Sequence, residues 1–144
     1  MKKLIGLFLL FSLLGCGETE KTIVGNDRDA HNCIGSAGYT WSEVRGACVR
    51  VWEEGFALFD VQSENASSAA YGVMSKDFNQ IELFVPSQTD SVLLTRNEQA
   101  WADKDNHWRL ERYPSQVGQQ ETWELFENGR LRFKASQILT QPLD

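Results

Sequence analysis

The sequence predicts a mainly β chain: a small antiparallel barrel or sandwich of about seven to eight short strands. A disulfide-stapled turn region, a flexible tether and a cleaved signal helix precede it. Three observations lead there. From residue 53 onward, short apolar stretches alternate with polar turns at the spacing of an all-β domain. Asn128-Gly129 lies between two alternating runs, a hairpin marker because both turn positions need positive φ. Cys33 and Cys48 form an isolated cysteine pair ahead of that region.

The start of the chain sets the compartment. Lys2 and Lys3 precede an apolar run over residues 4–14, interrupted by Gly6 and Ser12. A membrane-spanning helix needs about 20 apolar residues, so this run reads as a cleaved signal peptide. Its end, Leu13-Leu14-Gly15-Cys16, resembles the lipobox of bacterial lipoproteins. The resemblance implies cleavage after Gly15, a diacylglyceryl thioether on Cys16 and palmitate-type acylation of the new amino group. Several acyl chains on one residue hold a protein to a membrane where one chain anchors marginally. Gly17, where the sorting rule of diderm bacteria has Asp for inner-membrane retention, implies the outer membrane, on its periplasmic or its outer side. An ordinary secretory signal followed by a chance cysteine is the alternative.

The domain organisation follows: 1–15 signal, 16–28 lipidated cysteine and tether, 29–52 stapled segment, 53–136 β-rich domain, 137–144 polar tail. Removing Lys2 and Lys3 leaves 12 basic residues against 20 acidic ones, a net charge of −8. An acidic chain without a Lys/Arg run is a poor nucleic-acid binder, because that affinity rests on neutralising phosphates.

In the stapled segment, Cys33 and Cys48 most simply form a disulfide in an oxidising compartment. A zinc site would recruit His31, but a fourth ligand and paired C-x₂-C spacings are missing. Asp27, Asp29 and His31 alternate as in a calcium loop, which fails at Asn32 and Gly38; aspartates before a turn serve as local acceptors. Tyr39 and Trp41 share a face of an extended segment. They either pack on the main domain or form an exposed binding surface. Cys33, Ser36, Ala37, Gly38, Tyr39, Trp41, Cys48 and Arg50 form a C-x-x-S-A-G-Y-x-W-x(6)-C-x-R pattern. It resembles a segment of small bacterial lipoproteins and carries no activity with it.

Strands are expected over 48–52, 56–61, 69–75, with Tyr71 and Val73 on one face, 81–85 and 91–96, and again over 107–112. Residues 97–105 read as polar, with one helical turn around Trp101. Across Asn128-Gly129 a two-residue turn pairs Glu127 with Arg130, Phe126 with Leu131, Leu125 with Arg132, Glu124 with Phe133 and Trp123 with Lys134. That register puts Arg130, Arg132 and Lys134 on one face with Trp123. This face is either a solvated wall whose aliphatic stems cover the indole or a basic stripe for an anionic partner.

No nucleophile elbow, metalloprotease helix or phosphate loop occurs, and His31 and His107 lie in unrelated contexts. The chain therefore reads as a non-enzymatic binding or structural module of the cell envelope, without cofactor or metal, with the membrane and a protein as candidate partners. Leu83-Phe84-Val85-Pro86, Val92-Leu93-Leu94 and residues 123–131 resemble the strand order of membrane-bound C-type lysozyme inhibitors. That resemblance implies a small barrel and, as an alternative, inhibition of cell-wall hydrolases. The family's inhibitory loop has no counterpart between Arg96 and Trp123, so no inhibitory residue carries over. An envelope enzyme is the remaining alternative, requiring a pocket that gathers an imidazole with carboxylates.

Overall fold

The computed structural model describes residues 27–63, 68–114, 117–118 and 120–136. The signal, Cys16, most of the tether and the polar tail lie outside the described residues. Two short strands, β1 (Thr40–Ser42) and β2 (Ala47–Val49), form a separate hairpin, followed by a single helical turn, α1 (Val51–Glu54). Eight more strands follow: β3 (Phe56–Asp60), β4 (Ala69–Met74), β5 (Gln80–Phe84), β6 (Val92–Asn97), β7 (Ala100–Ala102), β8 (Trp108–Tyr113), β9 (Thr122–Glu127) and β10 (Arg130–Ser136). Each pairs antiparallel with the next, and β10 returns to β3, so the sheet closes into a barrel. Of the two expected architectures, the barrel is the one formed.

Alternation explains why the sheet curls this way round. Ile81 and Leu83, Trp108 and Leu110, and Trp123 and Leu125 point inward, and their sequence neighbours point out. Eight strands leave an interior that side chains just fill. Here Trp101, Trp108 and Trp123 are the largest of the interior side chains, packed among five leucines, with the Trp101 and Trp123 rings 5.3 Å apart. Phe56 joins them by crossing directly over Gly72, its partner on β4; a Cβ at Gly72 would lie 2.4 Å from the Phe56 ring.

Three local expectations are corrected. Residues 100–102 form a strand rather than a helical turn. Glu98 takes a left-handed φ of 55°, a two-residue loop reverses the chain, and Trp101 drops into the core opposite Leu110. Its indole N–H donates to the Phe78 carbonyl at 3.1 Å. Residues 51–54 are helical rather than a continuation of β2. The β9–β10 register holds at Glu127–Arg130 and Phe126–Leu131, then shifts at a bulge between Leu131 and Phe133. Beyond the bulge Leu125 faces Phe133, Glu124 faces Lys134 and Trp123 faces Ala135. The extra residue brings Phe133 and Ala135 to the same side as Trp123 and Leu125, so all four sit in the core.

The β4–β5 turn shows how short polar side chains fold back on the backbone. The Ser75 hydroxyl donates to Asp77 Oδ1 at 2.7 Å, and the Asn79 amide group donates to Oδ2 at 2.8 Å. These bonds, the Ser75 one first, hold the Asp77 carboxyl below its ordinary value of 3.8. A folded-state value below the unfolded one stabilises the fold above pH 3.8 and loses that contribution as pH falls through the lower folded value. Asp77→Asn should therefore melt below wild type near neutrality, with the gap in Tm narrowing below about pH 4, as a pH series of thermal melts would show.

Candidate binding cleft at the stapled segment

The Cys33–Cys48 disulfide forms, with Cα atoms 5.5 Å apart. Asp29 builds the turn before it: Oδ1 accepts from the backbone N–H of His31 at 2.8 Å and of Cys33 at 2.9 Å. Asp27 accepts from the Ser36 N–H, and hydrogen bonding with Ser36 holds its carboxyl below the usual range. Both aspartates are thus local acceptors. The turn carries His31 back over β1, where its ring stacks on Trp41 at 4.3 Å and 6°. Trp41 is paired with Cys48 across the hairpin, so the disulfide and the stack brace the same spot.

Tyr39 is half-buried beneath Arg50, whose guanidinium lies 4.6 Å from the ring centroid while Nε donates to the Ala37 carbonyl at 3.0 Å. Gly38, at φ 80°, leaves room for the Trp52 ring, which a Cβ would meet at 2.1 Å. Tyr39 is therefore committed mainly to packing within the segment, and Trp41 is the aromatic that faces an opening.

What joins the hairpin to the barrel is Glu82. It sits on the outer face of β5, between the inward-pointing Ile81 and Leu83, yet it is only 1% exposed. Its Oε2 accepts from the Ser42 hydroxyl at 2.6 Å and from the Val44 N–H at 3.4 Å. Its Oε1 accepts from the Ser91 hydroxyl at 2.7 Å. Val73, its neighbour across the β4–β5 ladder, is fully buried without belonging to the interior cluster. Tyr71 and Val73 share the outer face of β4, as expected; Tyr71 stays half-buried there while Val73 is shut away beside Glu82. Removing a carboxylate from water costs several kcal/mol unless hydrogen bonds replace hydration, and three donors do so here.

Between the hairpin and the barrel runs a cleft of about 260 Å³. His31, Thr40 and Trp41 line it from the stapled segment. Phe84 and Val85 line it from the end of β5, and residues 88–91 line it from the loop to β6. Ser91 belongs to this rim and to the Glu82 bond, while Ser42, next to Trp41, holds the other oxygen. One buried carboxylate thus holds both walls.

The remaining expected surface residues fall elsewhere. Trp123 is a core residue, 1% exposed, and is withdrawn from any surface by the bulge. Its Nε1 donates to Glu121 at 2.8 Å at the barrel end, and the Arg112 side chain bonded to Glu121 draws that carboxyl below its usual range. Lys134 pairs with Glu124 at 2.9 Å, Arg132 approaches Glu127 at 3.6 Å, and Arg109 pairs with Glu111 at 2.6 Å. Arg130 is exposed at the turn. The wall over β8–β10 is therefore an ion-pair ladder, crossing β9–β10 at Lys134–Glu124 and Arg132–Glu127 and running within β8 at Arg109–Glu111, rather than an open basic stripe; each such pair contributes about 0–1 kcal/mol. His107 serves the same wall: Nδ1 bonds Asn128 Oδ1 at 2.8 Å, Nε2 lies 3.6 Å from Glu127, and its carbonyl accepts from the Asn128 N–H. Glu82 and the rim at 88–91 escaped the sequence reading. Their one available sign was an acidic residue inside an apolar run, which reads equally well as the solvent face of a strand.

No family model matches this chain, and no curated protein or solved structure matches it either.

Glu82→Ala strands the Ser42, Ser91 and Val44 donors and should lower unfolding free energy by about 3 kcal/mol in a urea titration. Glu82→Gln keeps one acceptor oxygen and should lose roughly half of that.

Proposed function

We propose that the chain is a lipoprotein of the bacterial cell envelope, held to the outer membrane through Cys16. Its folded part is a non-enzymatic binding module that presents the cleft beside Trp41. The observation that carries this reading is the cleft itself, built between a disulfide-braced hairpin and a barrel loop and held by a buried carboxylate. The barrel interior is occupied by indole and leucine side chains, which leaves recognition to the outside.

Two further features favour an acyl anchor over insertion of the barrel. Its strands have three to seven residues, short of the roughly 9–11 needed to cross a bilayer. Its outer wall carries the ion-pair ladder where lipid would demand apolar side chains. The disulfide fits an oxidising compartment. Ten residues lie between Cys16 and Asp27, and at full extension that stretch spans about 40 Å, so the domain stays close to its point of attachment.

Cys16→Ser should abolish incorporation of labelled palmitate and release the protein from membranes; retention of the label would overturn the anchor. A photo-crosslinking side chain placed at Gln88 should trap envelope components that the same group at Arg109, on the ladder, does not. Equal capture from both positions would overturn the assignment of the binding face. Cys33→Ser with Cys48→Ser frees a segment whose ends lie 15 residues apart and should cost about 3 kcal/mol in a urea titration. It should also weaken the capture from Gln88.

A further inference from the structure

We infer that the cleft binds one ring of a neutral saccharide, an assignment that rests on reading this face as the binding surface. The lining decides the class. It contains one carboxylate, Asp90, and no Lys or Arg, in a chain of net charge −6. An anion entering it meets a like charge and no fixed cation.

Thr40, Gln88, Thr89 and Ser91 supply hydroxyl and amide groups that both donate and accept. A sugar hydroxyl has the same dual character. Ser91 already donates to Glu82, so its oxygen is left to accept from a ligand O–H. A purely apolar ligand would strip water from these groups without replacing it.

Trp41, Phe84 and Val85 provide the apolar share, matched to the C–H surface of a sugar ring. A small diamine would use Asp90 but leave the neutral groups idle. Size sets the rest: about 260 Å³ lies below the roughly 300–1,000 Å³ of sites for drug-sized ligands, so the cleft holds a single ring rather than a length of chain.

The walls are set before any ligand arrives. Glu82 ties Ser42, beside Trp41, to Ser91 on the opposite rim. His31 stacks on Trp41 and restrains it. Glu82 is thus a positioning residue, and holding both walls reduces the ordering that a weak ligand must impose.

The test is nitrogen-15 NMR on the full protein in detergent micelles. Glucose and N-acetylglucosamine are titrated to tens of millimolar, with 1,4-diaminobutane and inorganic phosphate as charged probes. The expected result is saturable shifts from at least one hexose, confined to the Trp41 indole and the amides of residues 88–91. Gln88→Ala, in an exposed loop, should weaken that binding by about tenfold and leave the barrel amides unmoved. Glu82→Gln should weaken it too, while shifting the Ser42 and Ser91 amides without any hexose present. Saturation by the diamine alone, no saturation by either hexose, or unaltered affinity in Gln88→Ala overturns the saccharide assignment. Position-dependent crosslinking from Gln88 that persists in those cases leaves the binding face standing.

Discussion

Closure is the constraint on which the structure depends. β10 meets β3 through two register pairs, Phe133 with Asp60 and Lys134 with Phe59, and the ladder runs on where the Val61 N–H donates to the Arg132 carbonyl. Without that seam, β3 and β10 would each present a row of unpaired backbone groups. The bulge in β10 makes the seam possible. It bends the strand where the ring must turn, and it rotates Phe133 and Ala135 inward. Three tryptophans and five leucines then pack the interior, and the outer wall is free to carry charge.

A second layer rests on the first. Closed barrels offer little concave outer surface, so a cleft on the outside has to come from a segment added to the ring. Here Glu82 of β5 holds the stapled hairpin, and the helical turn that follows it rests on β3 and β4. An apolar residue at that position would attach the hairpin with less desolvation cost. A carboxylate instead specifies three donors and their directions, and so fixes both edges of the cleft.

Period-two alternation made most of the barrel readable. Ile81, Leu83 and Val85, Val92 and Leu94, and Trp108 and Leu110 all face as their spacing implies, and Asn128-Gly129 forms its turn with φ of 50° and 75°. The errors have physical causes. A three-residue strand among polar neighbours carries too little alternation to show, which hid β7. A bulge leaves no mark in residue type, and missing it slid Trp123 onto the wrong face. The cleft was half visible: Trp41 and the cysteine pair stood out, but the far wall comes from residues some forty positions away. Glu82 looked like any outward strand residue, because burial on the outside of a barrel depends on what packs there and not on the strand's own pattern.

The tryptophans divide by location, and this has an optical consequence. Trp101 and Trp123 lie close enough for their excited states to couple, giving the closed ring a near-ultraviolet circular dichroism signature of its own. Trp41, under a stacked imidazole, and Trp52, half open to solvent, belong to the appended segment instead. Packing inside the ring and packing in the segment beside it therefore report through different chromophores, and one unlabelled sample can follow both.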